Sequence, residues 1–141
     1  TGLDTSEMAM KDYSAIDLLL YQNRKEQALT SIQTMLEIYP GHSLTDELLW
    51  LRANLYMEIG DFHSCEQSLN IIMEDHGSDI LADDAYFTLG VVNEEYLGNT
   101  EKAMEIYEDF LRRFPGSIYV VEARKRFRSL RGDFKYDTPI N

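Results

Sequence analysis

The chain has 141 residues, 44% of them hydrophobic and 27% charged, the make-up of one folded domain and not of a disordered or membrane-spanning chain. Twenty-five acids against thirteen bases leave a net charge of −12, which argues against general binding to nucleic acid or to an anionic membrane. The charge is uneven: residues 1–111 hold 22 acids and 5 bases, residues 112–141 hold 3 acids and 8 bases, and no Lys or Arg occurs from Ala53 to Glu101.

Apolar residues recur at intervals of three and four, the period of a helix. The pattern predicts helices at about 9–21, 24–38, 45–59, 62–75, 81–97, 100–113 and 118–130. The first eight residues lack a period and are expected to be irregular. Because the chain opens Thr-Gly-Leu-Asp without a Met, a piece of a longer protein is expected. Ile16, Leu18, Leu19 and Leu20 put apolar groups on more than one side of the first helix, a face that calls for a preceding repeat or a second subunit. The second helix carries Ala28, Ile32, Met35 and Leu36 and ends at Pro40, which lacks the N–H to continue it. Ser43 with Asp46 reads as a shortened capping box for the third. Gly60-Asp61 and Gly98-Asn99 each pair a glycine suited to positive φ with a residue that can cap the next helix. Gly90 lies inside a helical pattern, where glycine costs about 1 kcal/mol against Ala, so a tight helix crossing is expected there. In the last helix Val120, Val121, Ala123, Phe127 and Leu130 are expected to face inward, with Arg124, Lys125, Arg128 and Arg131 toward water. The tail from Gly132 to Asn141 is expected to be a loose carboxy terminus.

Three breaks share a register. Pro40, Gly77 and Pro115 are spaced by 37 and 38 residues, and twelve residues before them stand Ala28, Cys65 and Ala103. Thirteen residues after the first two come Ala53 and Gly90. Small residues recurring with the breaks signal a repeat array.

These residues resemble the tetratricopeptide repeat (TPR) family, a helix-turn-helix unit of about 34 residues. The units read Asp12, Ala15-Ile16, Leu19, Ala28, Ile32, Met35 and Pro40; then Leu49, Arg52-Ala53, Tyr56, Cys65, Leu69, Ile72 and Gly77; then Tyr86, Leu89-Gly90, Asn93, Ala103, Tyr107, Phe110 and Pro115. Asp12, Arg52, Gly77 and Asn93 depart from the family pattern. The resemblance implies an all-α, right-handed α-solenoid: one domain of three hairpins, at about 9–40, 45–77 and 81–115, closed by a capping helix at 118–130. The 37–38-residue unit and the phrases Arg-Phe-Pro-Gly-Ser and Val-Glu-Ala-Arg-Lys-Arg-Phe look like TPR segments of bacterial envelope proteins, namely outer-membrane assembly lipoproteins and Tol-Pal-associated periplasmic proteins. A periplasmic or outer-membrane-associated location is implied, with the cytoplasm as the alternative.

Such a stack has a concave face lined by the first helix of each hairpin. The candidate contacts there are Tyr13, Asp17, Tyr21, Glu47, Trp50, Asn54, Met57, Phe87 and Glu94, aromatics among carboxylates that suit an apolar or basic segment of a protein or peptide. Trp50 is the expected anchor, with packing against the adjacent helix as its alternative. The TPR class that grips a terminal carboxylate with Lys, Asn and Arg is not expected, because Asn54 has no Lys or Arg beside it. Arg124, Lys125, Arg128 and Arg131 form a second candidate patch, for an acidic partner or an acidic face of another copy. Self-association through the N-terminal face is a further expectation.

Cys65 is the single cysteine, and His63 stands two residues from it, on another side of a helix, which leaves neither a zinc site nor a Cys-His nucleophile. No phosphate loop, dinucleotide fingerprint or nucleophile elbow is present. No enzyme activity, cofactor or direct membrane insertion is expected. The expected function is a protein–protein interaction module or scaffold; the alternatives are a structural spacer or oligomerisation segment, and a regulatory segment of an enzyme-containing protein.

Overall fold

The computed structural model describes residues 2–41, 43–76 and 80–132, and all regular structure among them is helical. The helices are α1 (Gly2–Tyr21), α2 (Lys25–Ile38), α3 (Thr45–Glu58), α4 (Phe62–His76), α5 (Ala82–Val91), α6 (Thr100–Arg113) and α7 (Val120–Arg131). They form three stacked hairpins, α1/α2, α3/α4 and α5/α6, with α7 packed on the last. Helix α1 begins at Gly2, so the first residues are not irregular as expected. The expectations for the 132–141 tail and the Gly77 break fall largely outside the described residues.

The turns explain the hairpins. Gly60 and Gly98 have φ of 83° and 68°, a left-handed backbone that ends a helix without steric cost only where Cβ is absent. Asp61 then caps α4, its Oδ1 accepting from the Ser64 N–H at 3.1 Å. Asn99 does not cap α6 in this way. Its side chain turns back instead, and Nδ2 donates to Asn93 Oδ1 at 3.3 Å. Nor does Ser43 cap α3: Leu44 holds the N-cap position, with no side-chain bond.

Helix α5 widens at its end into a π-helical turn, Val92–Tyr96, where the expected helix ran straight on. Asn93 is fully buried within it. Its Nδ2 donates to the Leu89 carbonyl at 2.8 Å, its Oδ1 accepts from Asn99 Nδ2, and its backbone carbonyl accepts from the Asn99 backbone N–H at 2.8 Å. A buried amide satisfied on both sides fixes this turn.

The small positions of the repeat are contact points. Ala28, Ala53, Cys65, Gly90 and Ala103 are all buried. A Cβ on Gly90 would stand 2.5 Å from Cε1 of Tyr107, so α5 and α6 cross at a distance only glycine permits. Three cores result. One joins α1 and α2 to Leu48 and Leu55, one joins Leu49 and Ala53 to α4 and α5, and one gathers Tyr107, Phe110 and Ala123 under Phe87, Phe127 and Leu130. Val121 is not part of the last, being 74% exposed; the packed side of α7 runs through Val120, Ala123, Phe127 and Leu130.

Candidate protein-binding surface

Two neighbouring first helices, α1 and α3, bring one group of candidates together. Tyr13 on α1 is half-buried, and burial followed by the carboxylates of Asp17 and Glu47 raises its phenol above the ordinary value. That influence places Glu47 of α3 within electrostatic reach of Tyr13, with Asp17 one turn further along α1. On α3, Trp50 lies one turn beyond Glu47 and Met57 two turns further, both half-buried against the central core. Asn54 holds the helix between them, its Nδ2 donating to the Trp50 carbonyl at 2.8 Å. Asp17 and Glu47 are exposed. Tyr21, at the end of α1, is 90% exposed.

At the other end of the stack the candidates already have partners. The Phe87 ring stacks on Tyr119 at 4.6 Å. Glu94 accepts from Tyr107 Oη at 2.7 Å and pairs with Arg126 Nη1 at 3.1 Å. Arg126 also reaches Glu95 at 2.8 Å and Glu122 at 3.1 Å. Burial works to lower the Arg126 guanidinium, but the Glu95 and Glu94 carboxylates outweigh it and hold it above its usual value. Tyr119 Oη donates to Asp84 at 2.6 Å, and Ser117 Oγ donates to Asp83 at 2.7 Å. Helix α7, packed on α6, is therefore tied to both ends of the α5 segment: by the residues just before it to Asp83 and Asp84, and by Arg126 to Glu94 and Glu95.

Arg126 is the residue that the sequence reading overlooked. Arg124, Lys125, Arg128 and Arg131 are all exposed, as expected of the second patch. The Arg131 guanidinium lies 5.0 Å from the centre of the Phe127 ring. Arg126 alone of the cluster turns inward. Its place four residues after Glu122 marks it as lying on the side of Tyr119, Ala123 and Phe127.

Among the described residues no group of three His, Cys, Asp or Glu side chains could hold a metal ion, and no helix is long and apolar enough to cross a membrane. The strongest carboxylate clusters are consumed by tyrosines and Arg126. Neither a nucleophile–base pair nor a cofactor cradle emerges among the described residues.

Comparison with known proteins agrees with this geometry. The family profile of the tetratricopeptide repeat matches residues 84–117, the span from α5 through the turn after α6. The fold of nearly the whole chain is similar to a tetratricopeptide repeat protein from Parabacteroides merdae, with 17% identity and a TM-score of 0.72, covering 90% of this chain and 47% of that one. It is similar also to the TPR2AB domain of yeast Sti1 in complex with pHSP90, at 17% identity and TM-score 0.69, covering 94% of this chain and 51% of the other. A third likeness is the Sgt2 TPR domain from Aspergillus fumigatus, at 16% identity and TM-score 0.66, covering 95% and 86%. The chain thus spans about half the length of the first two. No curated protein sequence matches it. The protein is a helical-repeat protein with the tetratricopeptide fold, a fold typical of protein–protein interaction modules. It carries a recognisable tetratricopeptide repeat in its third hairpin.

Proposed function

We propose that the chain is an interaction module whose first helices bind a basic, partly apolar segment of a partner protein. The observation that supports this reading is the half-buried Tyr13 within electrostatic reach of the exposed carboxylates of Asp17 and Glu47, with Trp50 and Met57 half-buried on the same helix as Glu47. Half-buried aromatics give rigid contact area at low entropic cost, and unscreened carboxylates speed the approach of a cation. Asn54 offers an amide oxygen to the ligand backbone, Tyr21 extends the surface at one end, and Phe87 and Glu94 shape it at the other.

The test is calorimetric titration of the chain with an amphipathic Leu/Lys peptide and with its Leu/Glu counterpart. The basic peptide is expected to bind, more weakly as salt rises, and Trp50→Ala with Met57→Ala is expected to weaken it by about tenfold or more. Equal binding of the two peptides sinks the reading. Binding that survives the double variant but is lost on reversing Arg124, Lys125 and Arg128 moves the contact to α7.

The reading includes two finer points. Met8, Met10 and Leu18 stand exposed on α1 and suit contact with a further repeat or a second copy; a strictly monomeric sedimentation profile at high concentration removes the second copy. The 37–38-residue unit and its Arg-Phe-Pro-Gly-Ser phrase support a bacterial envelope protein, which cell fractionation of the full-length product tests.

A further inference from the structure

Arg52 has no place in the surface described above. It lies on α3 two residues from Trp50, so its side chain leaves the opposite side of the helix and enters a cleft of about 520 Å³ between α2, α3 and α4. Nε donates to Ser68 Oγ at 3.0 Å and Nη1 donates to Gln33 Oε1 at 2.7 Å. A guanidinium has five N–H donors, and among the described residues the remaining three have no acceptor. Among the described residues no carboxylate pairs with it. Burial lowers its pKa, and the Tyr56 hydroxyl only partly offsets that.

This is an unusual way to place a cation. Arg52 is the single base between Lys25 and Lys102, in a chain with acids in excess. Desolvating a charge against neutral acceptors is unfavourable, and a structural link between α2, α3 and α4 would be made as well by a neutral side chain. The other walls are mostly polar: Ser64, Gln67 and Asn70 on α4, with Glu74 at the same cleft, beside Tyr56 and Ile71. Glu74 discourages a dianion such as phosphate, whereas a single guanidinium matches a carboxylate in charge and in planar geometry.

We propose that the cleft between α2, α3 and α4 is a second binding site, on the opposite side from the first-helix surface, in which Arg52 takes a carboxylate of a partner peptide. The free N–H groups hold the carboxylate, and the amides of Gln67 and Asn70 bond the peptide backbone beside it. A side-chain carboxylate and a chain-terminal one share this chemistry.

The test is an NMR titration of the full chain with three short probes: acetyl-Gly-Glu-Gly-amide, acetyl-Gly-Gln-Gly-amide, and acetyl-Gly-Gly with a free terminal carboxylate. The Arg52 Nε–H signal and the amides of Ser68, Gln67 and Asn70 are expected to shift saturably with the glutamate probe, the free-terminus probe or both, and not with the glutamine probe. The arm that saturates at lower concentration identifies the source of the carboxylate. Arg52→Gln is expected to weaken binding by about tenfold or more. Gln67→Glu leaves Arg52 in place but supplies a competing carboxylate from the wall, and is also expected to weaken it, which keeps the test valid if Arg52→Gln fails to fold. Equal shifts from the glutamate and glutamine probes, no shift from either carboxylate probe, or undiminished binding by both variants overturns the proposal. Inorganic phosphate shifting the same signals at lower concentration than either carboxylate does so too.

Discussion

Tyr107 ties α6 to the end of α5 by both its ring and its hydroxyl. It is fully buried, its ring fills the space over Gly90, and its hydroxyl donates to the Glu94 carboxylate that Arg126 also grips. Gly90→Ala would drive a methyl into a ring that cannot move without breaking that bond. It is expected to destabilise by about 1–3 kcal/mol, read as a lowered midpoint in urea with unchanged m. Arg126→Met would leave Glu94 and Glu95 beside each other with no cation. A loss of about 1–2 kcal/mol is expected, below the cost of breaking a fully buried pair because Glu95 is open to water; thermal melts check it. Gly90 was legible from sequence because a glycine within a helical period has few explanations, and its register partner Ala53 is small too. Arg126 was not. Polarity alone groups it with Arg124, Lys125 and Arg128, and only the packed side of α7 separates it from them.

Three contacts between helices in the last third of the chain pair a tyrosine with a carboxylate. Tyr86 donates to Asp109 at 2.7 Å, joining α5 to α6, and Tyr119 donates to Asp84, joining the start of α7 to α5. Burial first, and then the Asp109 bond, push Tyr86 up to about 12. The Asp84 bond first, and then burial, push Tyr119 up to about 12, and Tyr107 is raised as well. A phenol whose folded pKa is raised binds its proton more tightly when folded. Its stabilisation is complete below the unfolded value near 10 and is lost as pH rises through the folded value. Thermal stability is therefore expected to be flat from pH 8 to about 9.5 and to fall steeply toward pH 12. Tyr86→Phe together with Tyr119→Phe should flatten that fall, and melts across the range check it. Helix positions and the hairpin turns were readable from periodicity and glycine placement. The π-helical turn was not, because it preserves the apolar spacing; Asn93, standing where the repeat pattern wants an apolar or aromatic group, was its one trace.

At the scale of the whole chain, neighbours hold neighbours and little spans further. The three cores meet only through border side chains, Leu36 between the first two and Tyr86 between the last two, and the ion pairs of Lys25 with Glu58 and Lys102 with Glu66 between hairpins are partly exposed and weak. Opening is expected to proceed hairpin by hairpin, with α7 as the retaining element for the third. A chain ended after Ser117 would uncover Phe87 and Phe110 and release Glu94 from Arg126. Its α5 and α6 amides are expected to exchange hydrogen at least tenfold faster, while those of α1 and α2 change little; exchange mass spectrometry resolves the two ends. The charge segregation visible in the composition acquires a structural sense here, since the basic end supplies the side chain that fastens the acidic hairpin before it.

The single thiol gives this architecture its own clock. Cys65 sits in the small slot of the middle hairpin with no exposed atom to offer a reagent, and burial, then the nearby acids, push it up to about 11. At neutral pH an aromatic disulfide reagent can reach it only when the central core parts. Its colour would then appear at the rate of that one event, uncontaminated by any second sulfhydryl. A ligand seated against α3 and α4 would slow the reading in proportion to the grip it adds, so occupancy of either face could be timed in an unlabelled protein.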